Sequence, residues 1–467
     1  MLTRDQAHDI FDKLRQRTSA DEIELLISSN RSALTRFANN TIHQNVAEEE
    51  SHISVRVSFG GRTARASTNK HDDESLRRVV QSAESLARVQ QPDPDLLPMP
   101  TAQEVAQNSA ASPGTIPSRY FGSTARITPQ DRAAVVARMV AVARKNDLTT
   151  AGIFSSSHVA EGILNSRGVA DWYEQTLAEV SVTMLGESSS GWQKANSPDA
   201  AQLDAAGLAE IAAQKAVAAM NPAELPPGKY TVILEPSAVL DAVGFMFWDF
   251  GGSALLEQRS FLNDRMGTQL FGENITVWDD AYHPLQAGVP FDGEGMKRQR
   301  VKLVEQGVVK AVTYARASAR RIRQSELAGN VGPITATGHG FALPNEIGEA
   351  PLNLVFEAPD AAEAMTVEQM VAATERGILV TRFWYIREVD PYEKILTGMT
   401  RDGTFLVEDG KIRSGIRNFR FNESLIHMLR NVEAMGEPVR ASGEESLDMV
   451  VPSMKVRDFN FTESTKF

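Results

Sequence analysis

The chain has 467 residues, 42% of them apolar and 23% charged, which indicates a globular protein of two or three domains. It contains no cysteine, which excludes disulfides, thiolate nucleophiles and any zinc site built on sulfur. A formal net charge of −12 argues against general affinity for nucleic acids or anionic membranes, because both attractions depend on Lys and Arg.

The start of the sequence predicts an amphipathic helix and no signal peptide. Residues 1–18 alternate charged positions with isolated apolar ones and lack the continuous apolar centre of an export signal. No segment approaches the roughly 18 uninterrupted apolar residues that span a bilayer. Together with the absence of cysteine, these patterns predict a cytoplasmic protein with no membrane partner and no direct nucleic-acid partner.

Two proline-rich stretches, at residues 91–118 and 221–228, divide the chain, because proline neither continues a helix nor sits inside a sheet. We predict an α+β fold, with a mixed sheet and helices in the N-terminal half and a large β-rich C-terminal domain. The predicted units are an N-terminal α/β domain (1–90), a proline-rich linker (91–118), a middle α+β domain (119–221), a β-rich C-terminal domain (222–440) and a polar tail (441–467).

The N-terminal unit contains a β-hairpin signal. Residues 53–59 alternate apolar and polar side chains, which is the period of a half-buried strand. Gly60 and Gly61 then predict a tight turn. A return strand and a helix at about residues 72–87 complete the unit.

The middle unit opens with a helix start. Thr128 is a capping residue, Pro129 suits the first helical position, and the carboxylate of Asp131 can complete the cap. Residues 151–193 then predict several strands with glycine turns, before an alanine-rich helix at about residues 204–220.

The C-terminal unit is mostly β. Residues 231–236 form a short apolar strand, and residues 378–386 a second one. Hairpin turns are predicted at residues 305–307 and at Asp409–Gly410, where a two-residue Asp-Gly loop is a strong local signal. This unit therefore supplies most of the predicted strands.

Several common catalytic motifs are absent from the sequence. No phosphate-binding loop is present, because Gly228–Lys229 is followed by tyrosine, and no nucleophilic serine is bracketed by glycines. The eight histidines are dispersed, and none lies three or four residues from another. No helix can therefore present two imidazoles to one metal ion.

One cluster of chemically capable residues stands out, between residues 278 and 295. It contains four carboxylates and an imidazole, which are Asp279, Asp280, His283, Asp292 and Glu294. Such a set could hold a hard cation or perform acid–base chemistry. The alternative interpretation is an irregular loop whose carboxylates cap turns and whose glycines provide the corners.

Three further positions carry weaker signals. His339 lies in a glycine-rich segment that predicts a flexible surface loop, although such a loop could also enclose a ligand. His52 is expected to be exposed at the start of a strand. Residues 396–403 resemble a tight loop entering a hairpin, in which Arg401 either pairs with Asp402 or recognises an anion.

Several C-terminal segments, taken in order, resemble the TldD/PmbA family, whose PmbA branch is also called TldE. They are 259–262 (RSFL) with Gly267, 279–280 (DD), 290–295 (PFDGEG), 305–309 (EQGVV), 377–384 (GILVTRFW), 397–405 (TGMTRDGTF) and 420–425 (RFNESL). The helix and hairpin of the N-terminal unit agree with the family's first domain. The resemblance covers nearly the whole chain and is strongest in residues 229–436.

The resemblance implies a function as well as a fold. TldD-type subunits are zinc peptidases that use a helical His-Glu-x-x-x-His motif and a downstream cysteine as metal ligands. They pair with a TldE-type subunit that lacks the motif, and the pair degrades or trims unfolded and precursor peptides. This sequence has neither the motif nor a cysteine, so it resembles the TldE type, with zinc expected only on a TldD-type partner.

We therefore predict a non-catalytic subunit of a heteromeric metallopeptidase, with no catalytic residue and no metal ligand of its own. Its expected partners are a TldD-type homologous subunit and an extended peptide, and a homodimer remains open. The residues expected to line the cleft are Asp279, Asp280, His283, Asp292, Glu294 and Arg401. The alternatives are a stand-alone hydrolase that uses the acidic loop around residues 279–294, and a non-enzymatic regulator with only an indirect effect on DNA.

Overall fold

The computed structural model describes residues 1–109, 114–329, 331 and 334–465. The N-terminal half alternates helices with long strands. Its elements are α1 (Arg4–Arg17), β1 (Glu22–Ala38), β2 (Thr41–Phe59), β3 (Arg62–Thr68), α2 (Asp73–Val89), α3 (Ala102–Ser109), α4 (Gly122–Ala125), α5 (Pro129–Lys145), β4 (Thr149–Asn165), β5 (Ala170–Leu185), β6 (Ser190–Ser197) and α6 (Ala205–Ala218).

One six-stranded sheet runs through this half, in the order β3-β2-β1-β4-β5-β6, and its strands pair antiparallel throughout. The predicted N-terminal and middle domains therefore share a single sheet, joined where β1 pairs with β4. Helices cover one face of this sheet. Alternate residues of each strand point to that face and pack against the helices. Helices α1 and α2 bury Leu25 and Val55, and helices α5 and α6 bury Phe37.

The C-terminal half is rich in short strands. Its elements are β7 (Gly228–Leu234), α7 (Pro236–Val243), α8 (Gly252–Leu256), β8 (Val277–Asp279), β9 (Val301–Glu305), β10 (Val308–Val309), α9 (Arg316–Arg323), β11 (Leu354–Phe356), α10 (Val367–Ala372), β12 (Arg376–Asp390), β13 (Ile395–Glu408), β14 (Lys411–Gly415), β15 (Phe419–Ser424), α11 (Leu425–Arg430), β16 (Val432–Met435), β17 (Val439–Ala441), β18 (Met449–Val451) and β19 (Met454–Ser464). The predicted α+β class with a β-rich C-terminal region is confirmed.

Two sheets enclose the large apolar core of this half. One is six-stranded, in the order β10-β9-β8-β11-β18-β17, and the other follows the path β12-β7-β19-β15-β13-β14, with β16 paired to β19. Parallel pairs occur here, between β12 and β7 and between β11 and β18. The mixture of parallel and antiparallel strands that we predict for the N-terminal half is therefore found in the C-terminal half.

The predicted polar tail after Arg440 is not a tail. Strands β18 and β19 occupy interior positions in the two C-terminal sheets, and Val451, Val456 and Phe461 are fully buried. The apolar residues of β19 alternate with charged and polar ones. This is the two-residue period of a strand, although the segment is polar in overall composition. The C-terminal domain therefore extends to the end of the described chain.

The uncovered face of the N-terminal sheet turns toward the C-terminal half and is tied to it at both flanks. At one flank Arg65 donates to the carbonyl oxygen of Leu343 at 2.7 Å. At the other, Lys194 donates to the carbonyl oxygen of Gly443 at 2.9 Å, and Asn196 donates to Asp448 at 2.6 Å. The space between these flanks holds the cleft described below. Of the helices described, none has both the length and the apolarity that crossing a bilayer requires.

Candidate functional site: the cleft beneath the N-terminal sheet

A cleft of about 240 Å³ separates the open face of the N-terminal sheet from the loops of the C-terminal half. Its sheet side carries one row of polar residues, because Ser28 of β1 is paired with Glu161 of β4 and with His52 of β2. Residues opposite each other in an antiparallel pair point to the same face. The opposite side of the cleft includes Asp292 and His339.

Asp279 and His339 form a buried pair at the base of this region. The Asp279 Oδ1 lies 2.8 Å from the His339 Nε2, and its Oδ2 accepts hydrogen bonds from the backbone N–H groups of Leu352 and Asn353, both at 2.8 Å. Burial by itself would raise the pKa of Asp279, but the charge and hydrogen bond of His339 hold that pKa below its usual range. Asp279 therefore joins three segments of the chain.

The prediction of a flexible surface loop around His339 is wrong. His339 is only 2% exposed, and its Nδ1 lies 2.9 Å from the hydroxyl of Thr337. Gly338 has a φ of +74°, and a Cβ atom there would come within 2.2 Å of the carbonyl oxygen of Lys297. The glycines allow the segment to pass close to another backbone, and they do not make it loose.

Asp292 is held by backbone donors in the same way. Its Oδ1 accepts hydrogen bonds from the N–H groups of Glu294 and Met296, both at 2.9 Å, and its Oδ2 accepts one from Gly340 at 2.8 Å. Burial and the neighbouring Glu294 carboxylate raise the pKa of Asp292 to about 7. Glu294 accepts a hydrogen bond from the N–H of Arg316 at 3.0 Å, and burial raises its pKa as well.

Asp280 and His283 belong to a turn beside this region and do not line the cleft. The Asp280 Oδ1 accepts a hydrogen bond from the N–H of Tyr282, and its Oδ2 pairs with Arg300 at 3.0 Å. The His283 Nδ1 accepts a hydrogen bond from the N–H of Leu285, and burial lowers the pKa of this imidazole. Both side chains therefore shape the turn, as the alternative interpretation of the acidic loop expected.

Arg401 lies elsewhere, so the structure does not bring all six predicted residues together. The predicted loop at residues 396–403 is part of strand β13, with an irregularity at Asp402, whose φ is +55°. Arg401 is half-exposed, covers the ring of Trp384 and lies 3.6 Å from Asp402. Asp402 in turn accepts hydrogen bonds from Arg382 and from Ser190 of the N-terminal half.

The zinc that the family resemblance implies does not fit this chain. A zinc site takes three or four Cys, His or carboxylate ligands. The chain has no cysteine, and within the described residues no three His, Asp or Glu side chains are placed to share one ion. Asp279 and Asp292 each already accept three hydrogen bonds from the chain, which leaves little acceptor capacity for a metal ion.

One cleft residue escaped the sequence patterns, namely Glu161. It lies in the polar strand β4. The alternation of residues along this strand could have assigned Glu161 to the open face of the sheet, but it could not have shown that a cleft lies there. No described residue donates a hydrogen bond to its carboxylate. Burial raises the pKa of Glu161, and the positive charge of Arg298 opposes that rise.

Sequence models of known families identify the chain. The model for the PmbA/TldA metallopeptidase C-terminal domain matches residues 227–463, that for domain 1 matches residues 23–87, and that for the central domain matches residues 123–220. The chain belongs to the PmbA/TldD family.

Curated members of the PmbA/TldD family are distant in sequence but similar in length. The Metalloprotease PmbA of Escherichia coli O157:H7 is 21% identical over 422 residues, covering 86% of this chain and 85% of that protein. A Metalloprotease PmbA homolog from Haemophilus influenzae is also 21% identical, over 423 residues with the same coverage. A metalloprotease from Methanocaldococcus jannaschii is 30% identical over 240 residues, about half of each chain.

Solved structures of similar fold cover the chain almost completely. TldE from Thermococcus kodakarensis superposes with a TM-score of 0.82 at 19% identity, over 98% of this chain and 99% of that one. A protein from Thermotoga maritima, named for a proposed role as a modulator of a DNA gyrase, gives a TM-score of 0.81 at 17% identity, over 97% of this chain and all of that one. At these identities the likeness establishes the family fold alone.

Proposed function

We propose that this chain is the subunit of a two-subunit PmbA/TldD peptidase that binds extended peptide and leaves zinc to a homologous partner. Unfolded or precursor peptides are the substrate class, because only an extended backbone can lie along a sheet and reach a narrow cleft. A homodimer of this chain is the form expected when the partner is absent.

One observation carries this proposal, namely that the carboxylates of the acidic loop are occupied by hydrogen bonds within the chain. Hydrolysis of a peptide at neutral pH needs an activated water or nucleophile. Asp279 and Asp292 together accept hydrogen bonds from five backbone N–H groups and from His339, so a metal ion would compete with the hydrogen bonds that hold their loops. A partner must then supply the hydrolytic centre.

The experiment combines the purified chain with a homologue that retains the His-Glu-x-x-x-His helix and follows cleavage of an unstructured peptide. We expect cleavage only by the mixture, with about one zinc ion per pair and none retained by this chain after dialysis. A zinc-free homologue, in which both motif histidines are replaced by Ala, is the matched control. Cleavage by the homologue alone at the full rate would contradict a shared function.

A stand-alone hydrolase is the second candidate, and the raised pKa of Asp292 beside a cleft is the observation in its favour. This alternative requires peptide cleavage by the isolated chain. Loss of that cleavage in Asp292→Asn, with the fold retained by circular dichroism, would establish it and would overturn the two-subunit proposal.

A further inference from the structure

The outer edge of strand β2 is unpaired over most of its length. Strand β3 pairs only with residues 53–59 of β2, while β1 pairs with β2 along the whole inner side. No backbone bridge from any described residue reaches the outer edge of residues 41–52. These twelve residues extend over roughly 40 Å, and every second one directs its N–H and C=O outward.

This free edge, residues 41–52, is acidic on the side that faces the cleft. Glu48 is paired with Ser32, Glu50 with Asn30 and His52 with Ser28, so all three side chains lie on the open face of the sheet. Glu48 and Glu50 are exposed and about 7 Å apart, the spacing of alternate residues in a strand. His52 then lines the cleft itself. The free edge therefore ends beside the cleft.

The charges of Glu48 and Glu50 are not neutralised within the described chain. Glu48 has no hydrogen bond or ion pair with any described residue, and Glu50 has only a contact of 3.4 Å from the amide of Asn30. Glu49, by contrast, points to the other face and pairs with Arg31 at 2.8 Å. The two outward carboxylates are thus available to a cation that arrives from outside.

The edge itself contains no Lys or Arg, and this argues against a second copy of the same chain as its occupant. Pairing of two such edges would add two more carboxylates to the same face and no cation to balance them. Like charges on neighbouring strands destabilise the pair, whereas opposite charges stabilise it. A strand with basic side chains at alternate positions satisfies both the backbone groups and the carboxylates.

We propose that the free edge of β2 binds an extended peptide segment with Lys or Arg at alternate positions, as an added antiparallel strand that enters the cleft at His52. This inference deepens the proposed function and rests on it for the role of the peptide as substrate. The binding itself is a property of this chain alone, so it can fail or succeed independently of any peptidase partner.

The test uses fluorescein-labelled peptides of twelve residues that alternate Thr with Lys, Gln or Glu, titrated with the full chain in about 0.1 M salt. Binding is followed by fluorescence anisotropy. We expect the Lys peptide to bind at least tenfold more tightly than the Glu peptide, with the Gln peptide between them. A Lys peptide N-methylated at alternate residues keeps its charge but loses the N–H groups of one edge, and it should bind at least tenfold more weakly.

The variant E48K/E50K should reverse the preference between the Lys and Glu peptides. Its matched control is Glu273→Lys, an exposed carboxylate of the C-terminal half with no ion pair among the described residues, which should leave both affinities unchanged. Equal binding of the Lys and Glu peptides, or equal binding of the N-methylated and unmodified peptides, would overturn the proposal. So would loss of Lys-peptide binding on addition of the zinc-bearing homologue without cleavage, because the partner's own strand would then be the occupant.

Discussion

Two acidic regions of this protein have similar composition and opposite chemistry. The carboxylates of the acidic loop at residues 279–294 are buried and accept hydrogen bonds from backbone N–H groups. The free edge of β2 is exposed, and its carboxylates Glu48 and Glu50 have no ion pair in the described chain. A carboxylate in the loop therefore stabilises the fold, whereas one on the edge is available for binding.

Glu161 is intermediate between the two regions. It is partly buried, and burial raises its pKa as it does for Asp292 and Glu294. Like Glu48 of the edge, it accepts no hydrogen bond from the described chain. Burial and hydrogen bonding therefore vary separately across these carboxylates, and each combination predicts a different effect of mutation.

The largest effect is expected at Asp279, whose buried carboxylate accepts three hydrogen bonds. Asp279→Ala removes the partner of a buried imidazole and leaves the N–H groups of Leu352 and Asn353 without an acceptor. The free energy of unfolding should fall by about 3–5 kcal/mol, as for other buried pairs that lose one member. Urea denaturation followed by circular dichroism measures this loss.

Glu48→Ala is the control for this substitution, because it removes a carboxylate of the same charge from the exposed edge. Its unfolding midpoint should stay close to that of the unmodified chain. A loss below about 1 kcal/mol in Asp279→Ala would show that the hydrogen bonds of the acidic loop contribute little to stability, and it would favour the stand-alone hydrolase.

Local sequence chemistry predicted much of the fold. The two-glycine turn after residue 59, the capping box of Thr128 and Asp131, and the Asp409–Gly410 hairpin are all present. Each of these depends on a few adjacent residues, because turn type and cap geometry are set by backbone conformation over one turn. The acidic loop was also identified as a cluster, together with the alternative that its carboxylates cap turns.

The arrangement of the cleft could not be predicted in this way. His339 is buried against Asp279, which lies 60 positions earlier in the sequence. No local sequence pattern indicates a contact between residues so far apart. Ser28, His52 and Glu161 meet only because three strands pair in one register. The edge is free because β3 pairs only with residues 53–59 of β2. The alternating sequence of β2 does not reveal how far its neighbour extends.

A smaller effect is expected from Glu161→Gln, because Glu161 is partly buried but accepts no hydrogen bond from the described chain. Because the folded pKa of Glu161 is raised, the folded state favours its protonated form. The stability from this proton is full below the ordinary glutamate pKa and is lost as pH rises through the raised value. Glutamine stays neutral, so the variant should be roughly 1 kcal/mol more stable at pH 8 and nearly unchanged at pH 4.

Unfolding by urea at a series of pH values between 4 and 8 gives this difference for both proteins. Asp279→Asn is a useful companion, because the pKa of Asp279 is lowered and its ionised form favours the folded state. Its stability difference should therefore have the opposite sign, with Asp279→Asn less stable than the unmodified chain at pH 8. Equal pH profiles for Glu161→Gln and the unmodified chain would mean that the cleft solvates this carboxylate fully.

The smallest effect is expected on the stability of E48K/E50K, and its small size is what separates binding from folding. Both side chains are exposed and lack ion pairs in the described chain, so reversal of their charge should change the free energy of unfolding by no more than about 0.5 kcal/mol. The same variant is expected to reverse peptide preference. If stability instead falls by more than about 1 kcal/mol, these carboxylates contribute to the fold like those of the acidic loop, and any change in peptide binding would follow from a distorted sheet.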